Sequence, residues 1–175
     1  MNKGIKNKFS EAQMLAAERQ IMESQKAVDY FVTEYSIEEF LFKYQHGLQN
    51  ETNEIFIPAY HRGFVWDKKK QIAFIESLLL GLPMTQIVVA PAAAPSERFE
   101  LLDGVQRLKT LEAFVNNELI LNYLKKLTLL NGFRFQDLPL SRQRGFKKRI
   151  LRCVELSDKT DFETRMDLFG RINQK

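Results

Sequence analysis

The spacing of apolar positions divides this chain into helical and strand-like segments. Where apolar residues recur every three or four positions the pattern predicts a helix, and short apolar runs between turn residues predict strands. Capping-box pairs mark several helix starts, namely Ser10 with Gln13, Ser36 with Glu39 and Thr160 with Glu163. The predicted helices cover residues 10–31, 36–46, 67–80, 105–116, 141–148 and 160–172.

Short apolar runs predict strands at residues 55–57, 86–89, 99–102 and 150–156. Residues 119–121 and 127–135, with Asn131-Gly132 as the turn, predict a small hairpin. Because strands and helices alternate without internal repeats, the pattern predicts a mixed α/β (α+β) fold. We expect two regions, a helical N-terminal arm over residues 1–35 and a mixed domain over residues 36–175.

The predicted N-terminal helix has a thin apolar stripe. Met14, Ile21 and Val28 recur at seven-residue intervals, but Ala17 and Ser24 occupy the positions between them. This stripe is too thin for a coiled coil and indicates packing against the domain or against a neighbouring molecule. A homodimer formed through this helix is therefore a candidate assembly.

The composition limits the class of protein. A chain of 175 residues with 45% apolar and 27% charged residues can fold as one soluble domain with a sizeable core. Its apolar runs are too short to cross a membrane, and no apolar segment follows the basic N-terminus as in a signal peptide. The single Cys153 excludes an internal disulfide and is typical of a reducing, cytoplasmic environment. We expect no metal-ligand cluster.

Basic residues concentrate between residues 134 and 152, where seven Lys and Arg residues accompany one acid, Asp137. The net charge of +4 permits a polyanionic partner without requiring one. One interpretation is a solvated helix face, and the other is a surface that contacts the phosphates of DNA. Only Phe146 interleaves with the basic residues, so the signal is weak. The nucleic-acid contacts in the second interpretation are Arg142, Arg144, Lys147 and Lys148.

The strongest chemical signal lies where a predicted strand meets a predicted helix. Asp103 and Gly104 form the junction, and Gln106 and Arg107 follow in the first turn of the helix. The free N–H groups of a helix N-terminus attract anions. A carboxylate, an amide and a guanidinium beside such an end are more than the fold requires, so we expect chemistry here.

Two further polar groupings interrupt the scaffold. The segment Tyr60-His61-Arg62-Gly63-Phe64-Val65-Trp66 follows the first predicted strand, and its His-Arg pair among aromatics could hold phosphate or stack a base. The alternative is that the aromatics are core anchors and Arg62 is a structural ion-pair partner. The other grouping, Phe169-Gly170-Arg171-Ile172-Asn173, follows the last predicted helical turns.

Four ordered motifs resemble a known family. They are Pro58-x-Tyr60-His61-Arg62 with Trp66, then Ser77-Leu78-Leu79-x-Gly81-x-Pro83, then Asp103-Gly104-Val105-Gln106-Arg107-Leu108-x-Thr110-Leu111, and Phe169-x-Arg171-Ile172-Asn173. Their order and spacing resemble the DGQQR-motif domain at the N-terminus of GmrSD-type modification-dependent restriction enzymes and related phage-defence proteins. The resemblance covers roughly residues 36–173 and implies a fold similar to the ParB/sulfiredoxin nucleotide-binding domain.

The resemblance implies binding, and in some members hydrolysis, of a nucleoside triphosphate, with Mg²⁺ as a candidate companion ion. Asp103, Gln106 and Arg107 are then the expected catalytic residues: Arg107 clamps phosphate, Gln106 orients water, and Asp103 holds a metal-bound water or the ribose. The expected nucleotide-binding residues are His61, Arg62, Gly104, Lys109, Thr110, Arg171 and Asn173.

The sequence departs from the family pattern at two positions. The first Gln of the motif is Val105 here, and the Gln usual before the first Arg is His61. A valine at a helix start packs inward, so hydrolysis could be slow or absent while binding survives. The imidazole of His61 can still donate or accept a hydrogen bond, which makes that change milder.

Full restriction proteins of this family carry a separate HNH-type nuclease domain. This chain has only two His residues and one Cys, too few for that metal site, so we expect no nuclease activity of its own and a nuclease partner or domain. The chain is then a fragment or a stand-alone sensor. Three functions stay open: a nucleotide-binding regulatory domain with slow triphosphatase activity, a ParB-like DNA-binding module, and a degenerate scaffold that binds a partner through its N-terminal helix.

Overall fold

A computed structural model describes residues 8–26, 29–61, 63–93 and 96–172. Its centre is a five-stranded mixed sheet with the order β1-β5-β3-β4-β2. The strands are β1 (Tyr30–Ser36), β2 (Ile55–Phe56), β3 (Ile87–Pro91), β4 (Phe99–Asp103) and β5 (Ile150–Leu156). The helices are α1 (Glu11–Lys26), α2 (Ile37–Gln45), α3 (Lys68–Leu79), α4 (Val105–Val115), α5 (Leu140–Lys147) and α6 (Phe162–Ile172), with short 3₁₀ turns at 48–50, 128–130 and 135–137.

The sheet has a core on each face. β2 pairs with β4 and β3 with β5 in parallel, whereas β1 with β5 and β3 with β4 are antiparallel. Side chains such as Ile87, Leu101 and Leu151 lie in the larger core with α2, α3, α4 and α5. On the other face Val88, Ala90, Leu102 and Leu156 form a smaller cluster, against which Leu168 of α6 packs. The predicted mixed α/β class is confirmed.

Local signals placed the central helices well. Ser36 Oγ accepts a hydrogen bond from the Glu39 N–H at 3.1 Å, and Asp67 Oδ1 accepts one from the Lys70 N–H at 2.8 Å. Both helices therefore begin at a side-chain cap that satisfies a free N–H group. The predicted apolar face of α2 is its buried face, formed by Ile37, Phe40, Leu41 and Tyr44.

The N-terminal helix is shorter than the pattern predicts. α1 ends at Lys26, and residues 30–36, expected as the helix end and a connection, form the edge strand β1 instead. The segment Tyr-Phe-Val-Thr is rich in β-branched and aromatic residues, which favour an extended backbone once a neighbouring strand is available. β5 supplies that neighbour, and the predicted boundary at residue 35 therefore falls inside a strand of the sheet.

The predicted hairpin at 119–135 is wrong, since the structure assigns no strand there. Leu121 does approach the other segment, because its N–H donates to Phe133 O at 2.8 Å and its carbonyl accepts from the Gly132 N–H. The buried carboxylate of Glu76 takes the N–H groups of Lys125, Lys126 and Leu127 at 3.2, 2.7 and 2.9 Å. The N–H of Leu127, where the second predicted strand begins, is therefore bonded to a side chain and not to a neighbouring strand.

The predicted cap of the last helix is also wrong. Thr160 is buried, and its hydroxyl donates to Asp29 O at 3.2 Å rather than capping α6. The next residue, Asp161, accepts the Thr164 N–H at 2.8 Å and so performs the capping. Of the helices in the described ranges, none combines the length and apolar character needed to cross a bilayer.

Candidate functional site at the β4–α4 junction

The strand β4 ends at Asp103, and a single glycine turns the chain into α4. Gly104 has φ +113°, a conformation that L side chains rarely adopt. A Cβ atom on it would lie 3.1 Å from Ile87 Cγ1, so the close packing of this turn against β3 also favours glycine. α4 begins without a side-chain cap, which leaves its first N–H groups facing the turn.

Arg107 braces this junction. Its Nη2 donates to Asp103 Oδ2 at 2.7 Å and to Gln86 O at 3.0 Å, and its Nη1 donates to Thr85 Oγ1. The guanidinium thus ties the start of α4 to the residues that precede β3, and its side chain is only 14% exposed. Of the buried side-chain nitrogen and oxygen atoms in the described ranges, Arg107 Nε is the one without a hydrogen-bond partner.

Gln106 holds a loop against α4. Its Oε1 accepts the N–H groups of Val65 and Trp66 at 2.9 and 3.1 Å, and its Nε2 donates to Gly63 O at 3.3 Å. A glutamine is suited to this contact because it offers an acceptor and a donor on one planar amide. The connection between β2 and α3 is therefore fixed beside the N-terminus of α4.

The first residues of the connection between β2 and α3 lie alongside β4. His61 Nε2 lies 2.5 Å from Leu101 O, and its ring stacks on that of Tyr60 at a centroid distance of 5.4 Å. The Tyr60 hydroxyl donates to Glu100 Oε2 at 3.2 Å, and burial together with this carboxylate raises the pKa of Tyr60. His61 thus lies beside the predicted site, whereas Arg62 falls outside the described residues.

Two predicted nucleotide-binding residues face other neighbours. Lys109 Nζ donates to Tyr44 Oη at 2.5 Å and to Glu112 Oε2 at 2.9 Å, so it joins α4 to α2. Burial lowers the pKa of Lys109, but these two hydrogen bonds outweigh it and the net shift is upward. Thr110 is buried, and its hydroxyl donates to Gln106 O at 2.7 Å within the helix. Both residues have structural contacts in this fold.

Arg171 lies in the last turn of α6. Its side chain is 72% exposed and pairs with Asp167 Oδ2 at 2.7 Å. Farther back in the helix, Arg165 Nη1 donates to Pro91 O at 2.5 Å, beside the start of β4, and Leu168 packs on the sheet. α6 therefore runs toward the end of β4 that carries Asp103, while Asn173 lies outside the described residues.

The predicted basic surface lies at the other end of α4. Phe146 of α5 packs on Phe114, near the C-terminus of α4, at a ring distance of 5.4 Å. Arg142, Arg144 and Lys148 are exposed, and no acidic side chain within the described ranges forms an ion pair with them. Lys147 pairs with Glu38 at 3.1 Å.

Sequence reasoning missed the partners of the site residues. Thr85 and Gln86 hold Arg107, yet nothing in their local sequence distinguishes them from an ordinary loop before a strand. Likewise, no sequence pattern indicates that the backbone of residues 63–66 forms hydrogen bonds with Gln106. Over the described residues, no three His, Cys, Asp or Glu side chains group so that they could hold a metal ion.

Comparison with known proteins supplies one match. The family model described as the GmrSD restriction endonuclease N-terminal domain matches residues 37–175, which include the whole β4–α4 junction and the loop from β2 to α3. No curated protein and no solved structure matches the chain. The matched region begins at α2 and leaves out α1 and all of β1.

Proposed function

We propose, from the premise that this chain belongs to the GmrSD restriction endonuclease N-terminal domain family, that it binds a nucleoside triphosphate at the β4–α4 junction. Membership indicates a part in a restriction or defence system. Domains of this family pair with a C-terminal nuclease domain, so a nuclease is the expected partner. A fold similar to the ParB/sulfiredoxin domain belongs to the same proposal.

One observation carries the proposal: α4 begins without a side-chain cap, beside a buried Arg107 Nε that has no hydrogen-bond partner. Gly104, at the start of the helix, is buried and carries no Cβ. An anion such as a phosphate oxygen is the natural acceptor at an uncapped helix N-terminus. The residues present therefore fit the triphosphate of a nucleotide.

The loop fixed by Gln106 supplies the second half of the site. Tyr60 and Phe64 on this loop are 43% and 46% exposed, although each is a large apolar ring. Aromatic rings beside a phosphate site can stack on a nucleobase, and such stacking tolerates different bases. We assign the phosphate to the α4 N-terminus and the base to this loop, with Arg62 and Arg171 as further cationic contacts.

The contacts of Gln106 favour binding over hydrolysis. The amide expected to orient water already accepts two backbone N–H groups and donates to a carbonyl. Val105, which replaces the first Gln of the family motif, is buried in the main core. Neither side chain is free to position an attacking water. We therefore propose a nucleotide-binding regulatory domain whose hydrolysis is slow or absent.

The test is a panel of ribo- and deoxyribonucleoside triphosphates, each with and without Mg²⁺, scored for thermal shift and phosphate release. A ligand present at 100 times its Kd should stabilise the folded chain by about 2.7 kcal/mol. Arg107→Ala should abolish the shift, whereas Arg152→Ala, which removes an exposed arginine paired with Glu34, should keep it. Absence of any shift with the wild-type chain would remove the proposal.

DNA binding is a second candidate function, favoured by unpaired cations in α5 and directly after it. Because Arg142, Arg144 and Lys148 are exposed and have no acidic partner within the described ranges, their charges are available to phosphates. Changing all three to Gln should weaken binding to duplex DNA and make it less salt-dependent. Arg107→Ala should leave this binding intact, since α5 packs at the other end of α4. Binding that depends on Arg107 and not on α5 would reject this candidate.

A further inference from the structure

α1 exposes large apolar side chains on two of its sides. Met14, Leu15, Ile21 and Met22 are 41%, 63%, 50% and 55% exposed. Isolated helices of about 15 residues are marginal in water and gain most of their stability from packing. We therefore expect α1 to be stabilised by packing against a partner whose surface complements both its apolar residues and its charged residues.

The side that carries Leu15 and Met22 faces away from the domain. A cavity of about 660 Å³ lies between α1 and the start of β1, lined by Ala17, Gln20, Ile21, Ser24, Gln25 and Tyr30. Leu15 and Met22, seven positions apart, share one side of the helix and do not line this cavity. The described side chains of α1 through Gln25 are all exposed, and the outer side combines Leu15 and Met22 with the charged Glu18 and Arg19.

The charges on α1 complement those of a second, antiparallel copy. If two α1 helices cross at a two-fold axis between Glu18 and Arg19, Leu15 of one faces Met22 of the other, and Glu18 faces Arg19. In a parallel pair in register, Glu18 would instead face Glu18, and like charges repel. Within the described ranges neither Glu18 nor Arg19 forms an ion pair in its own chain.

We propose that α1 is a self-association helix that pairs antiparallel with α1 of a second copy of this chain. Such a two-fold contact is self-complementary, because each helix supplies the same apolar and charged positions. α1 lies outside the family match at residues 37–175, so this contact is an addition to the common domain rather than part of the junction site. The pair would join two junction sites in one assembly.

Charge exchange tests the pairing. The wild-type chain should form a concentration-dependent dimer in sedimentation equilibrium, and Glu18→Arg or Arg19→Glu should each weaken it roughly tenfold, because both symmetric pairs become repulsive. Mixing the two variants in equal amounts should restore the dimer as a heterodimer. Ala16→Glu, which adds a charge beside Leu15 but on another side of the helix, should have little effect. A wild-type chain that is monomeric at all concentrations, or a mixture that does not associate, overturns the proposal.

Engineered cysteines test the direction of the helices. Leu15→Cys mixed with Met22→Cys should give a disulfide-linked heterodimer under mild oxidation, whereas each variant alone should cross-link poorly. The native Cys153 is buried, so it does not compete in the folded chain. All the substituted positions are exposed, and circular dichroism should report an unchanged fold. Efficient cross-linking of Leu15→Cys to itself indicates a parallel pair and overturns the antiparallel arrangement.

Discussion

Replacing Gln106 by leucine should release the loop at residues 63–66 while leaving the domain folded. The change removes three hydrogen bonds, two from the Val65 and Trp66 N–H groups and one to Gly63 O. Each neutral bond contributes about 1 kcal/mol net, and water replaces part of it at an exposed loop. We therefore expect local opening to become easier by about 2 kcal/mol, roughly 30-fold in the opening equilibrium.

Amide hydrogen exchange measures this directly. The Val65 and Trp66 amides should exchange roughly 30-fold faster in Gln106→Leu. Gln106→Glu, which keeps an acceptor for both N–H groups but loses the donor to Gly63, should be intermediate. The Leu108 amide, bonded to Gly104 O at 2.8 Å inside α4, is the internal reference and should not change. Unaltered exchange at Val65 and Trp66 in the leucine variant would refute the assignment of Gln106 as the residue that holds this loop.

Other predictions concern stability and reactivity. Gly104→Ala should lower the free energy of unfolding by at least about 1 kcal/mol in denaturant titration, because of its positive φ and the nearby Ile87. Glu76→Ala should cost about 3 kcal/mol by the same measurement, since three backbone donors lose their acceptor. Burial alone raises the pKa of Glu76, but those donors lower it below the ordinary 4.5. The contribution of its charge is therefore complete above pH 4.5 and is lost as the pH falls further, so the stability gap between wild type and Glu76→Gln should shrink in acid. Burial raises the pKa of the Cys153 thiol to about 12, so a thiol reagent at pH 8 should label it only after unfolding.

The elements that the sequence predicted correctly depend on local signals. The caps at Ser36 and Asp67 and the face of α2 follow from residues within one or two helical turns. β1 was missed because its partner, β5, lies more than a hundred residues away in the chain. The hairpin was wrong for a similar reason, since the distant Glu76 carboxylate accepts the N–H of Leu127, where the second predicted strand begins.

In the candidate site, too, the features set by neighbouring residues could be predicted and those set by distant residues could not. The Asp103-Gly104 turn and its helix could be read from neighbouring residues, and the inward packing expected of Val105 is confirmed by its place in the core. The partners of Arg107 could not be predicted, because a hydroxyl and a carbonyl some twenty residues upstream carry no pattern of their own. Lys109 shows the converse: it is a predicted nucleotide-binding residue, and in the structure its side chain joins α4 to α2.

The contacts at the β4–α4 junction show which side chains hold the fold together there and which groups are left to bind a ligand. Gln106 and Arg107 each fasten one incoming segment to the start of α4, the first the loop before α3 and the second the residues before β3. Because the other polar atoms of these two side chains are bonded within the fold, the proposed ligand has three groups to contact: the uncapped backbone of α4, the fastened loop and the unpartnered Nε of Arg107. Val105 occupies a core position, so its side chain neither fastens an incoming segment nor contacts the proposed ligand. Because Val105 is buried in the core, a substitution there should change the stability of the domain, whereas substitutions at Gln106 and Arg107 should change the proposed nucleotide binding.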